Sequence, residues 1–232
     1  MNNTKSIRKI PHVEAPKIYK EHDFIDEELV EIPSDSGIIV EMQYPLLGME
    51  TAIDKCLVRK SVLNKLLEAI NNLPEDITFK IWDAYRPLNL QEEIYYKYRA
   101  KLIETFNLKG LSEEEQNNII RQYVSLPEAN EEIPPLHTTG GAIDLTLVKI
   151  STGEELNMGV EFDAFSDLTN TDAFEADGMD ENVRNNRRIL YFAMKDAGFT
   201  NLPSEFWHYE YGNRNWGYYS NKPAIYRGIM QL

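Results

Sequence analysis

The chain has a single cysteine, Cys56, in 232 residues. An internal disulfide is therefore impossible and a thiolate zinc site is excluded. What remains for Cys56 is the role of a small buried apolar residue. No stretch approaches the ~20 consecutive apolar residues of a membrane span. Past the mildly basic start Met1–Pro11, the residues Glu14, Lys17, Lys20, Glu21 and Asp23 interrupt any apolar run, so no secretory signal is expected and the expected compartment is the cytoplasm. Positive charge is scarce: 24 Lys and Arg stand against 38 Asp and Glu, a net charge of −14. That balance excludes a nucleic-acid partner, which needs clustered cations, and is read as solubility. Between residues 150 and 183 there is no Lys or Arg at all, but ten acidic side chains. Gly/Ser-rich or Pro-rich linkers, internal repeats and low-complexity tracts are also missing, so nothing divides the chain into two self-sufficient halves.

Hydrophobic residues make up 42% of the chain and charged ones 27%, the balance of a folded globular protein. A chain of this length buries roughly three quarters of its unfolded surface in one core. Residues 1–25 are mixed and Pro-containing, an N-terminal arm lying along a domain of residues 26–232. Gly37–Tyr44 has strand composition, with Ile38, Val40 and Met42 on one face. Ser61 is placed to cap a helix whose apolar stripe is Val62, Leu63, Leu66, Leu67 and Ile70, ended by Leu73-Pro74. Ile77–Trp82 alternates as a half-buried strand. A helix after Pro87 carries Leu90, Ile94, Tyr98, Leu102 and Phe106 at i,i+4 spacing. Ser112 and Glu115 form a capping box before a helix with the apolar face Ile119, Ile120, Tyr123 and Val124. A polar connection, 125–136, leads to a Gly140-Gly141 turn and a strand from Ala142 to Val148. Residues 150–183 read as an acidic insertion, partly ordered by Met158, Val160, Phe162 and Phe165. Asp180 caps a last helix ended by Gly198, and Phe206–Tyr211 has strand composition. The pattern predicts an α+β fold, a single domain with a central antiparallel sheet flanked by helices.

Several residues stand where their side chains need a reason. Asp144 lies inside an otherwise apolar strand, so it requires a cation or a metal as partner. His137 precedes the Gly-Gly turn, which can bring it toward Asp144. Glu205 and His208, three apart, would oppose each other on a straight strand and converge only if the chain turns at 204–206. Two imidazoles and two carboxylates are the donor set of a catalytic zinc site, which uses three protein ligands and leaves one position for water. The helix-borne H-E-x-x-H motif is absent, which excludes that class of metallopeptidase. Arg86 either pairs with Asp83 as structure or directs its fork of donors at a substrate carboxylate or developing oxyanion. His12 and His22, in the arm, are expected at the surface.

Together these segments resemble the D-alanyl-D-alanine dipeptidases of the vancomycin-resistance type, zinc peptidases of the hedgehog/DD-peptidase fold. The pattern S-x-H-x-x-G-x-A-x-D is met by His137, Gly140, Ala142 and Asp144, and E-x-W-H by Glu205, Trp207 and His208. Asp83-Ala-Tyr-Arg-Pro87 is similar to that family's arginine segment, and Asn157–Phe165 to the loop that separates dipeptidases from related carboxypeptidases. The likeness spans roughly residues 40 to 212. Pro135 departs from it, standing where the family has Ser, and Tyr44–Gly48 matches only loosely.

The resemblance implies one zinc ion per chain, with His137, Asp144 and His208 as ligands. It implies Glu205 as general base, Arg86 as transition-state stabiliser and a small D,D-dipeptide as substrate. Two other functions are consistent with the same residues: a DD- or LD-carboxypeptidase acting on larger cell-wall peptides, and a non-catalytic zinc-stabilised binding module. Membrane partners are not expected.

Overall fold

The computed structural model describes residues 8–230 apart from 122, 128, 129 and 132. Residues 1–7 of the expected arm, and part of the 125–136 connection, thus lie outside the described residues. The chain forms β1 (Leu29–Glu31), β2 (Ile39–Val40), α1 (Gln43–Leu46), β3 (Leu57–Arg59), α2 (Lys60–Ile70), β4 (Ile77–Asp83) and α3 (Leu88–Thr105). There follow α4 (Glu113–Ile120), β5 (Ala142–Lys149), α5 (Glu181–Asp196), β6 (Thr200–Asn201), β7 (His208–Glu210) and α6 (Arg214–Ser220). Five strands make the main sheet in the order β2-β4-β5-β7-β6. Its pairs are antiparallel except β2–β4 at the edge, and β1 and β3 form a separate antiparallel pair. The α+β expectation with an antiparallel centre agrees with this arrangement.

One face of the sheet is greasy because β5 alternates. Ile143, Leu145 and Leu147 join Phe79 and Ile81 of β4 against Val62, Leu66 and Ala69 of α2 and Leu190, Ala193 and Met194 of α5. A buried Leu or Val side chain in such a layer contributes roughly 1.5–3 kcal/mol. On the opposite face β5 presents Ala142, Asp144 and Thr146. Beside that face, α3 and α4 build a second cluster from Leu90, Ile94, Leu102 and Ile120 with Tyr44 and Met49.

The capping box at Ser112 is present, with Ser112 accepting from the Glu115 amide. Asp180 caps α5 through the amides of Asn182 and Val183. Other expectations need correction. The Gly37–Tyr44 strand shrinks to Ile39–Val40, and Val40 is exposed while Ile38 and Met42 are buried. The chain turns into α1 instead, which carries Tyr44 under the arginine of the site. Ser61 is not a cap: Arg59, at the end of β3, holds that position, and Ser61 donates its amide and hydroxyl to Glu27. Leu67 and Tyr123 are exposed, so both apolar faces are narrower than their spacing suggests. The strand at 206–211 is only β7, since the chain is still turning at Phe206 and Trp207. His12 is exposed and His22 stacks on Phe24, while the arm is held by Asp23 and Ile25 amides donating to the Ala224 and Ile225 carbonyls.

Candidate metal centre

The site is a row across three strands. Asp144 of β5 lies directly opposite His208 of β7 on one side and Asp83 of β4 on the other. The β4 register shifts between Ile81 and Asp83. That bulge turns Asp83 onto the polar face in place of Trp82, as bulges beside sites commonly re-aim a side chain. His137 comes from the helical turn Leu136–Thr139, which Gly140 ends with φ +71°. A Cβ on Gly141 would sit 2.4 Å from the Tyr211 carbonyl, so only glycine lets this turn feed β5 while touching the end of β7. The turn expected at 204–206 exists, closed by the His208 amide donating to the Glu205 carbonyl.

His137, Asp144 and His208 are all buried and their donor atoms converge. His137 Nε2 is 3.2 Å from His208 Nδ1 and 3.3 Å from Asp144 Oδ2, and His208 Nδ1 is 2.9 Å from Asp144 Oδ1. Three ligands of a tetrahedral zinc, each ~2.0–2.1 Å from the ion, lie roughly 3.3 Å apart. The far nitrogens decide the chemistry. His137 Nδ1 faces the Ala84 carbonyl at 2.8 Å, which can only accept, and His208 Nε2 faces the Glu210 carboxylate at 2.9 Å. With protons on those nitrogens, the neutral rings direct both lone pairs at the Asp144 carboxylate. Lone pairs on three converging atoms repel unless a cation lies among them. The alternative to a bound cation is protonation of the rings, and in that form, despite burial, His137 and His208 hold the Asp144 carboxyl far below the carboxylate range. Burial opposes charge on His208, but hydrogen bonds to Asp144 and Glu210 raise its pKa well above the imidazole range. The cluster wants positive charge at its centre, and its donor set fits zinc.

Glu205 is half-buried, with Oε2 3.8 Å from His208 Nδ1. Burial pushes its carboxyl up to about 7, with Asp144 and Asp163 adding to the rise while His208 and Arg86 oppose it. Arg86 pairs with Asp83, the first of the two roles its sequence position allowed. Its Nε and one terminal nitrogen donate to Asp83 Oδ2 at 2.9 and 2.6 Å, and it also donates to Gln91 and to the Tyr44 hydroxyl. The same nitrogen reaches within 3.8 Å of Asp144 Oδ2. Though burial opposes its charge, Asp83, Tyr44 and Asp144 keep the guanidinium protonated. A cleft of about 60 Å³ is lined by Arg86, His137, Asp144, Asp163, Glu205 and His208 among others. It adjoins a lobe of about 270 Å³, and Tyr123, Asp163 and Glu205 line both.

Three residues at this site escaped the sequence reading. Asp163 accepts from the Tyr44 and Tyr98 hydroxyls at 2.9 and 2.7 Å. Burial, reinforced by Asp144, pushes its carboxyl up to about 6. Tyr44 sat in a segment matched only loosely, and only its contacts reveal its place. Glu210 had a signal that went unused: it lies two residues from His208, on the same strand face.

A family model described as peptidase M15, D-ala-D-ala dipeptidase, matches residues 47–225. A D-alanyl-D-alanine dipeptidase of Synechocystis sp. is 29% identical over 182 residues, covering 72% of this chain and 73% of the relative. Enzymes of the same name from Enterococcus faecium and Enterococcus faecalis are 31% and 28% identical, covering 56% and 72% of this chain and 59% and 77% of the relatives. A vancomycin-resistance D,D-pentapeptidase solved in complex with Zn(II) superposes with a TM-score of 0.43 at 14% identity, over 84% of this chain and 91% of that one. Peptidases of family M15 are zinc-dependent. With its His-Asp-His cluster and a family model covering most of its length, this chain belongs to the D-ala-D-ala dipeptidase family, M15, of metallopeptidases.

Proposed function

We propose that the chain is a zinc-dependent dipeptidase that hydrolyses free D-alanyl-D-alanine to D-alanine. The observation that carries this is the convergence of the buried donor atoms of His137, Asp144 and His208 beside the carboxyl of Glu205, whose pKa burial pushes up to about 7. In this reading His137, Asp144 and His208 hold the ion. Zinc bound there supplies Lewis acidity and lowers the pKa of a coordinated water to about 7. Glu205 takes the proton of the attacking water and returns it to the leaving amine, for which a pKa near the working pH is suited. Arg86, fixed from three sides, stabilises the oxyanion as it develops, with no reorganisation at that moment.

Asp163 supports the preference for a free dipeptide. Among the described residues it makes no ion pair, yet it shares the cleft with Glu205 and is held by two tyrosine hydroxyls. A substrate ammonium one residue from the scissile bond is the complementary charge. The names of the relatives agree with this substrate. The lobe beside Glu205 and Asp163 favours a second reading, cleavage of longer peptides ending in D-Ala-D-Ala, because it offers space beyond the amine position.

The test is D-alanine release by zinc-loaded protein from D-Ala-D-Ala and from N-acetyl-D-Ala-D-Ala. Cleavage of the free dipeptide only, lost on chelation and restored by zinc, is the expected result. Equal cleavage of the acetylated peptide assigns the protein to the carboxypeptidase reading. Cleavage of neither by a zinc-loaded protein refutes both.

A further inference from the structure

Glu210 is the most deeply buried carboxylate at the site, with 0% of its surface exposed. Among the described residues no Lys or Arg pairs with it. Its Oε1 faces His208 Nε2 at 2.9 Å and accepts from Asn215 Nδ2 at 3.0 Å, while Oε2 has no hydrogen-bond partner. Asn215 is itself placed by the first turn of α6, which Asn213 caps by accepting from the Trp216 amide. An isolated buried carboxylate costs several kcal/mol unless compensated. Among the described residues within hydrogen-bond distance of Glu210, the His208 ring is the group able to carry positive charge. The His208 ring thus lies between two carboxyl groups, Asp144 at Nδ1 and Glu210 at Nε2. The other imidazole is treated differently, because His137 rests on a neutral backbone carbonyl.

We propose that Glu210, backed by Asn215, is a positioning residue for the metal: it keeps the proton on His208 Nε2, directs Nδ1 at the ion and sets how tightly the ion is held. The inference rests on the metal reading above and adds to it a residue outside the ligand set. Carboxylates behind ligating histidines fix ring orientation and raise ligand basicity, and their loss typically costs 10–100-fold in metal affinity or activity.

The experiment is zinc affinity by competition with a chromophoric chelator for wild type, Glu210→Gln, Glu210→Ala and Asn215→Ala. It is paired with ¹⁵N NMR of the His208 ring in the zinc-loaded proteins and with melting temperatures of the metal-free ones. Glu210→Gln keeps an acceptor but no charge and is expected to weaken binding about 10-fold, and Glu210→Ala about 100-fold. Asn215→Ala should weaken it less than either. Wild type should show Nε2 protonated and Nδ1 shifted by metal, with that pattern altered in Glu210→Ala. Lower melting temperatures with zinc affinity within twofold of wild type in both Glu210→Gln and Asn215→Ala would overturn the proposal and leave Glu210 a structural residue. Should Glu210→Ala fail to fold, those two milder variants decide. A wild-type protein that binds no zinc would instead sink the metal reading itself.

Discussion

Replacing Glu205 by Gln changes one oxygen for one nitrogen and removes the proton acceptor. The side chain is not among the three converging donors and lies 3.8 Å from His208 Nδ1, so metal content should stay at one zinc per chain. A general base contributes typically 10²–10⁴ in rate, so kcat should fall by about that factor, or ~2.7–5.4 kcal/mol of transition-state stabilisation. The pH profile gives an independent check. The reactive form is the carboxylate, and burial raises its pKa to about 7 in the metal-free cluster. A nearby cation favours the ionised form and lowers that value. Wild-type kcat/KM should therefore rise with pH along a limb centred at or below about 7 and then level, and the residual activity of Glu205→Gln should lack this limb. Steady-state D-alanine release across pH, with zinc measured on the same samples, tests all of this. A zinc-loaded Glu205→Gln within fivefold of wild-type kcat would refute the assignment.

Chelation should lower the melting temperature as well as activity. At free zinc 1,000 times its dissociation constant, binding adds ~4.1 kcal/mol, which corresponds to roughly 8–16 °C for a chain of this size; identical melting with and without chelator would contradict a buried metal centre. Arg86→Ala should cut kcat by about 10²–10³ and, by leaving Asp83 buried without its partner, also destabilise the fold by about 3–5 kcal/mol. Denaturant titration and kinetics separate the two effects, and an unchanged kcat would remove Arg86 from the reaction. Asp163→Asn should raise KM for D-Ala-D-Ala more than it changes zinc content, and an unchanged KM would exclude Asp163 as the ammonium partner.

Much of the fold was legible because it is local. The capping box at Ser112, the Asp180 cap and the alternation in β5 depend on neighbours within a few positions, and all three are present. The failures share a cause in distance along the chain. Ser61 looks like a cap, but Glu27, 34 residues away, takes its amide and hydroxyl. Gly37–Tyr44 alternates like a strand, but Tyr44 must reach Arg86 and Asp163, so the ladder stops at Val40. At the site, His137, Asp144, Glu205 and His208 were conspicuous as polar side chains in apolar surroundings. Asp163 was hidden inside a segment with ten acidic residues, where nothing local sets one carboxylate apart.

The row formed by Asp83, Asp144 and His208 across three strands governs how this chain can change over generations. Neighbouring residues of a strand face opposite ways, so inserting or deleting one residue in β4, β5 or β7 would carry a site residue into the greasy layer. The 150–183 connection lies outside the row, but it carries Asp163 and braces the turn before β7 through the Thr169 carbonyl, which accepts from the Phe206 amide. Its length is therefore free only in its exposed turns. Variation in length should collect in exposed turns such as 151–154 and 176–178 and spare the three strands, while substitutions remain free wherever side chains point to solvent. A recombination point placed between β5 and β7 would have to deliver both partners in register or neither. The three strands are inherited as one piece.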